Sequence, residues 1–292
     1  MASVAVVGPG AIGGTIAAWL SRNPEVGDLI LCARTPLDRL VVETPDGEVI
    51  EARPRVVTDP AQLTDPVNWV LVATKAYDVE GAARWLEPLA GPKTRVAVLQ
   101  NGVEHVERFS PWVDPARVVP VVVDLPAERT APGRIQHRRS GTVVVPAGDA
   151  GEAFCALFTH SVIAASTTED FTTVAWTKLA LNCAGAVCAL TGRPSGVVNE
   201  PGVAEVMRGM VAECVRVGRA EGATLDEDLP ELVVERTIAS PADSINSILG
   251  DRLAGRPMEW DARNGVIVRK GAAHGIDAPL NGMAAAILRA LQ

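Results

Sequence analysis

Val4-Ala5-Val6-Val7-Gly8-Pro9-Gly10-Ala11-Ile12-Gly13-Gly14-Thr15-Ile16-Ala17-Ala18-Trp19-Leu20 is the stretch whose reading decides the fold. A short apolar, β-branched run leads directly into glycines, and then into an apolar segment of helical composition. Strand, glycine turn and helix follow one another with the spacing G-x-G-x-x-G, the arrangement of a dinucleotide-binding fold. Gly8 permits the tight turn. Gly10 lets backbone N–H groups approach a pyrophosphate, and Gly13 lets the helix pack close to the strand. Pro9, Ala11 and Ile12 complete the turn that would hold the cofactor. The helix N-terminus supplies partial positive charge to the phosphates. The motif alone is shared with ordinary Gly-rich loops. Its place directly after an opening strand makes a nucleotide cofactor the expectation.

The end of the second strand, Leu29-Ile30-Leu31-Cys32-Ala33, points to which nucleotide. An NAD site carries an acidic residue here to accept from the ribose 2′-hydroxyl. This chain carries Arg34-Thr35 instead. A guanidinium is always charged and binds a 2′-phosphate bidentately, where a carboxylate would repel it. Asp28 lies at the start of the strand, the wrong end of the sheet for this task. The residues therefore favour NADPH, against the plainer reading of Arg34 as a solvated side chain.

The 292 residues suffice for a large core and suggest two domains. With 48% apolar and 21% charged residues, the chain reads as a soluble globular protein. A net charge of −8, with no basic run beyond Arg138-Arg139, argues against nucleic acid. No basic n-region precedes the first apolar stretch, so no signal peptide is expected. The longest apolar stretch, Val174 to Gly192, contains Lys178 and Asn182 and makes a poor membrane span. The five cysteines are scattered, with no C-x-x-C, as in a reduced cytoplasmic protein. The four histidines have no metal-ligand spacing, and no metal is expected. Of the 27 basic residues only Lys75, Lys93, Lys178 and Lys270 are lysines. A lysine in such a chain is somewhat more often present because a transferable proton is needed.

Strands and helices alternate up to about residue 125. Asp46-Gly47 reads as a hairpin turn between Val41-Val42 and Val49-Ile50. Trp69 to Ala73 and Arg95 to Leu99 read as buried parallel strands, and Val118 to Val123 as another. Asp78 to Leu89 reads as a helix. Lys75 and Asn101 fall at carboxyl ends of strands, where ligands sit in such sheets. Gly133 to His137 reads as a hairpin with Thr142 to Val145, and Phe154 to Thr159 as a short helix. After about Asp170 only helices are predicted: Val174 to Leu190, Gly202 to Glu221, Asp228 to Ile238, Ser244 to Leu253, Glu259 to His274 and Asn281 to Leu291. Gly275 and Pro279 mark the end of the fifth. The fold class is thus an α/β Rossmann-type dinucleotide-binding domain over residues 1–168, followed by an all-α domain over 169–292.

Lys178 and Asn182 stand four apart on an otherwise apolar helix and share one face. Polar groups on a buried helix need partners. Either the lysine snorkels to the surface beside a packing asparagine, or an ammonium donates a proton to a substrate carbonyl while the amide holds the substrate.

At these residues the chain resembles the ketopantoate reductase family over essentially its whole length. The marks are Val7 to Gly14, Thr74-Lys75-Ala76-Tyr77, Gln100-Asn101-Gly102 and Trp176-x-Lys178-Leu179-Ala180-x-Asn182. They continue with Leu190-Thr191-Gly192-Arg193, Asn246-Ser247-Ile248-Leu249-x-Asp251, Gly255 to Gly265 and Ala273-His274-Gly275-Ile276. The resemblance implies NADPH-dependent reduction of 2-dehydropantoate to (R)-pantoate in pantothenate biosynthesis. It implies that Gly8, Gly10 and Gly13 hold the pyrophosphate and Arg34 the 2′-phosphate. Lys75 and Asn101 lie near the nicotinamide ribose and the reaction centre, and Lys178 is the general acid. Asn182, Ser247 and Asn101 hydrogen-bond the substrate, and Glu259 binds the nicotinamide ribose. A homodimer through the helical domain is also implied.

The chain departs from the family in one region. A second asparagine usually follows the first by four residues, but Ala186 stands there, and Ser195 replaces a later asparagine. Losing two polar groups weakens discrimination for a hydroxyl-bearing substrate. A D-2-hydroxyacid dehydrogenase acting on a more apolar 2-oxo acid is therefore one alternative, and a non-catalytic NADP(H)-binding regulator another.

Overall fold

A computed structural model of the chain describes residues 1–292. The opening strand β1 (Ala2–Val7) buries both faces: Val4 and Val6 join one apolar cluster, Ala5 and Val7 another. A strand covered on both sides reads as one continuous apolar run. The helix α1 (Ala11–Leu20) packs Ile16, Ala17 and Leu20 into the first cluster. β2 (Val26–Cys32) runs parallel to β1. β3 (Leu40–Glu43) and β4 (Val49–Ala52) form the antiparallel hairpin expected around Asp46-Gly47.

Six strands make one parallel sheet. β5 (Arg55–Val57), β6 (Trp69–Val72), β7 (Arg95–Val98) and β8 (Val118–Pro120) join β1 and β2 in the order β5-β2-β1-β6-β7-β8. Between them, α2 (Val79–Leu89) places Ala82, Trp85, Leu86 and Leu89 in the second cluster, with Phe109 of α3 (His105–Phe109). α1 and α2 thus cover opposite faces of the sheet, which is the doubly wound layering. The strand order departs in both directions from β1 and β6, so the ligand crevice of such a sheet lies at their carboxyl ends.

The rest of this unit departs from the sequence reading. Val118 to Val123 is not one strand. β8 stops at Pro120, and β9 (Val122–Asp124) enters a different sheet. Proline has no N–H with which to continue a ladder. The expected hairpin of Gly133–His137 with Thr142–Val145 does not form either. Gly133, at φ 70°, instead turns β11 (Arg134–His137) back onto β10 (Ala127–Ala131), and β11 also pairs with β3. β12 (Thr142–Pro146) pairs with β9 and with β13 (Ala164–Thr168). An alternating pattern identifies a strand but not its partner. β10 and β13 carry polar, half-exposed sequences with no strand signal of their own. α4 spans Asp149–Ala156, not Phe154 to Thr159, with Asp149 and Glu152 in its first turn.

Contacts divide the chain into two units, Met1–Gln100 with Glu104–Phe171, and Asn101–Val103 with Thr172–Gln292. The second is helical. The helix expected over Val174–Leu190 is two, α5 (Phe171–Ala184) and α6 (Ala186–Thr191), meeting at Gly185. The Asn246 amide donates to the Gly185 carbonyl at 2.9 Å, and a Cβ on Gly185 would lie 2.8 Å from that amide nitrogen. The 21-residue stretch Phe171–Thr191 is long and apolar enough to cross a membrane, but Trp176, Leu179 and Val187 sit in this unit's core.

α7 (Val203–Ala220), α8 (Leu229–Ile238) and α9 (Ser247–Leu253) follow. The helix expected over Glu259–His274 winds as a π-helix over Asp261–Gly265 before α10 (Val266–Ala273). Such π-turns concentrate at functional sites. Gly275, at φ 67°, ends α10, with Ile276 N–H donating to the Gly271 carbonyl at 2.9 Å. The first turn of α11 (Pro279–Ala290) is held by buried Glu213, which accepts from the N–H groups of Leu280 and Asn281 at 2.9 Å each.

Candidate active site

The glycine turn closes on itself. Gly8 N–H donates to the Cys32 carbonyl at 3.0 Å, and Gly10 N–H to the Gly8 carbonyl at 2.8 Å. Gly8 sits at φ +89°, and a Cβ there would lie 2.9 Å from Thr74 Cγ2. A Cβ on Gly13 would lie 2.4 Å from the Gly8 carbonyl oxygen. Both glycines are therefore required by the fold. Gly10 is not: its φ of −76° suits any residue, and a Cβ would meet nothing within 4 Å. Conformation and packing within the chain do not require a glycine at position 10, and its backbone stands open to the approach of a phosphate. No side chain caps α1 and no acidic residue occupies its first turn, so its terminal N–H groups suit an anion. Arg34 is exposed just beyond the carboxyl end of β2.

Lys75 is half-buried beyond the end of β6. Its backbone is held by Gln100, whose buried side-chain amide donates to the Thr74 hydroxyl at 3.0 Å and to the Lys75 carbonyl at 3.2 Å. The Gln100 carbonyl in turn accepts from His105 Nε2 at 3.0 Å. A carbonyl only accepts, so this bond places the ring proton on Nε2. Burial, with the nearby Arg108 charge adding to it, pushes the His105 pKa down to about 3.

The helical unit gathers the other polar residues. Lys178 and Asn182, both half-buried, stand one turn apart on α5. The Asn182 amide donates to Asn101 Oδ1 at 3.4 Å, and the Asn101 amide to Glu259 Oε2 at 3.0 Å. Glu259 is buried, immediately before the π-turn. Ser247 is exposed at the start of α9, and its Oγ accepts from Arg263 Nη2 at 2.7 Å. Arg263 is buried. Desolvation draws its pKa down, and the Glu259 and Asp251 carboxylates oppose that. Ala186 is fully buried, and the Ser195 hydroxyl donates to the Ser244 carbonyl at 3.1 Å, so neither stands in for a missing amide.

Two family profiles match this chain: ketopantoate reductase PanE/ApbA over residues 4–150, and its C-terminal counterpart over 170–292. The chain belongs to the ketopantoate reductase family. It is 57% identical to a 2-dehydropantoate 2-reductase of Caulobacter vibrioides, over 99% of both chains. It is 40% identical to that of Mycobacterium tuberculosis, over 98% of this chain and 97% of the relative. The crystal structure of a PanE/ApbA family ketopantoate reductase from Ralstonia eutropha superposes with a TM-score of 0.89 at 30% identity. That match covers 99% of this chain and 98% of the other.

Of the residues that sequence reading set apart in this ketopantoate reductase family member, Asn101, Asn182 and Glu259 form one hydrogen-bonded chain. Ser247 is joined instead to Arg263, a residue the sequence reading passed over. Its signal was present: Arg263 lies four residues after Glu259, within the Gly255 to Gly265 stretch already singled out. Gln100 and Thr74, each part of a sequence motif, have a structural task in the hydrogen bond between them.

Proposed function

We propose that this protein is an NADPH-dependent 2-dehydropantoate 2-reductase, with residues 1–168 holding the cofactor and 169–292 the substrate. The observation that carries this is the Asn182–Asn101–Glu259 chain, which joins three polar side chains of the helical unit one turn of α5 from Lys178. NADPH, bound at the glycine turn with Arg34 on its 2′-phosphate, supplies the hydride. Lys178 Nζ stabilises the negative charge that develops on the keto oxygen and then gives that oxygen its proton. Asn182 and Ser247 orient the oxo acid by hydrogen bonds. Asn101, held by Glu259, keeps the Asn182 amide in one orientation. Lys75 and Glu259 are assigned to the nicotinamide ribose. The homodimer is supported by exposed apolar side chains on α10 and α11, Val268, Met283 and Ile287, which a second copy would cover.

Kinetics on a panel of 2-oxo acids with NADPH and NADH test the reading. The highest kcat/KM is expected for 2-dehydropantoate with NADPH. A tenfold preference for a more apolar oxo acid would move the assignment to a D-2-hydroxyacid dehydrogenase. Tight NADPH binding with no turnover would leave a regulator.

A further inference from the structure

The buried guanidinium of Arg263 has no task in the mechanism above. Arg263 is 2% exposed and held in the π-turn, and its Nε has no hydrogen-bond partner. Arginines are rarely buried without pairing. The nearest carboxylates are already engaged: Glu259 accepts from Asn101 at 3.0 Å, and Asp251 from Arg256 Nε at 2.9 Å. The one hydrogen bond that Arg263 makes goes to Ser247 Oγ, at 2.7 Å.

We propose that Arg263 is a positioning residue that makes Ser247 a one-way donor to the carboxylate of the 2-oxo acid, an inference that rests on the functional reading above. A guanidinium has donors and no acceptor. The Ser247 oxygen therefore uses a lone pair on Arg263, and its own proton points elsewhere. Ser247 is exposed, so its acceptor comes from outside the protein. A carboxylate oxygen accepts only, carries the complementary charge, and is common to every 2-oxo acid. The positive charge behind Ser247 strengthens that bond. Selection for the acid group thus comes from a residue that need not touch the substrate.

The test is a double-variant cycle of Arg263→Gln and Ser247→Ala, with saturating NADPH, on 2-dehydropantoate and on its primary amide. Arg263→Gln is expected to raise KM for the acid about tenfold, the scale of one hydrogen bond to a charged group. Its kcat should stay within about threefold, and its KM for the amide should barely move. In the double variant, KM should match that of Ser247→Ala within about twofold, because both act through one hydroxyl. Multiplied effects, or equal losses on acid and amide, overturn the proposal. Should Arg263→Gln not fold, Ser247→Ala decides: an unchanged preference for acid over amide overturns it. If the wild type accepts another 2-oxo acid but not 2-dehydropantoate, the functional reading fails, and the same cycle on the accepted acid still decides the role of Arg263. Turnover of no 2-oxo acid overturns both.

Discussion

The Asn101 amide donates to the buried carboxylate of Glu259 at 3.0 Å, across 158 positions of sequence. Asn101 Oδ1 accepts from Asn182 at 3.4 Å, so one side chain links the segment after β7 both to α5 and to the residues that lead into the π-turn. Asn101–Val103 belongs to the helical unit, although the residues on either side belong to the sheet unit. Removing Asn101 takes a donor from a buried carboxylate, which costs about 1–3 kcal/mol. Asn101→Ala is therefore expected to lower the thermal midpoint and to cut kcat/KM at least tenfold. Asn101→Asp, which sets a second carboxylate against Glu259, is expected to do worse on both. Scanning calorimetry with steady-state kinetics checks this, and a kcat/KM within twofold of wild type would remove Asn101 from the site.

The glycine turn makes a paired prediction. Gly13→Ala forces a Cβ to within 2.4 Å of a backbone oxygen, so it should destabilise the fold. Gly10→Ala meets nothing within 4 Å, so its thermal midpoint should match the wild type. Its affinity for NADPH should nevertheless fall about tenfold or more, because the methyl group would occupy the approach of the phosphate. Isothermal titration separates the two outcomes. Wild-type affinity in Gly10→Ala would mean that the cofactor does not lie on this turn.

Lys178→Met should lower kcat by about three orders of magnitude, the scale of one general acid with its electrostatic stabilisation. NADPH affinity should stay within about threefold. Lys178→Arg keeps the charge but cannot transfer the proton, so it should recover little of the rate. Single-turnover reduction read at the nicotinamide absorbance measures the step directly.

Arg34→Ala should weaken NADPH by about tenfold to a hundredfold, the worth of a charge-assisted contact to phosphate, and leave NADH nearly unchanged. The ratio of the two dissociation constants is the quantity to compare. A ratio equal to that of wild type would assign the 2′-phosphate to another residue.

His105 predicts an acid limb of stability. Its pKa is held down from 6.5 to about 3 in the fold, chiefly by burial. Below pH 6.5 the unfolded chain binds a proton that the folded chain refuses until about pH 3, so stability falls as pH drops through that window. Urea midpoints measured from pH 7 to 4 should decline, and His105→Gln should flatten the decline. An equal slope in the variant would assign the acid limb to other groups.

Several features were legible because they are local. The run Val4–Val7, the glycine spacing and the apolar helix behind it needed no knowledge of distant residues. Neither did the Asp46-Gly47 hairpin or the terminal Gly275. Lys178 and Asn182 could be placed on one face because helical periodicity alone does so. Partner choice could not be read this way. β12 carries an alternating pattern that suits β11 as well as β9 and β13, and only the packed sheet selects between them. Gly185 reads as one tolerated glycine in a long helix until Asn246 is seen bonded to its carbonyl.

By itself, then, the amino-acid order determined the strand–turn–helix entrance, the helical second half and the inventory of polar side chains. Tertiary structure alone decided which of these meet: Asn101 with Asn182 and Glu259, and Arg263 with Ser247. The reason is physical. Backbone periodicity and turn conformation are settled by neighbours a few residues apart, whereas a hydrogen bond between distant segments forms only when packing has closed the loop and removed the competing water.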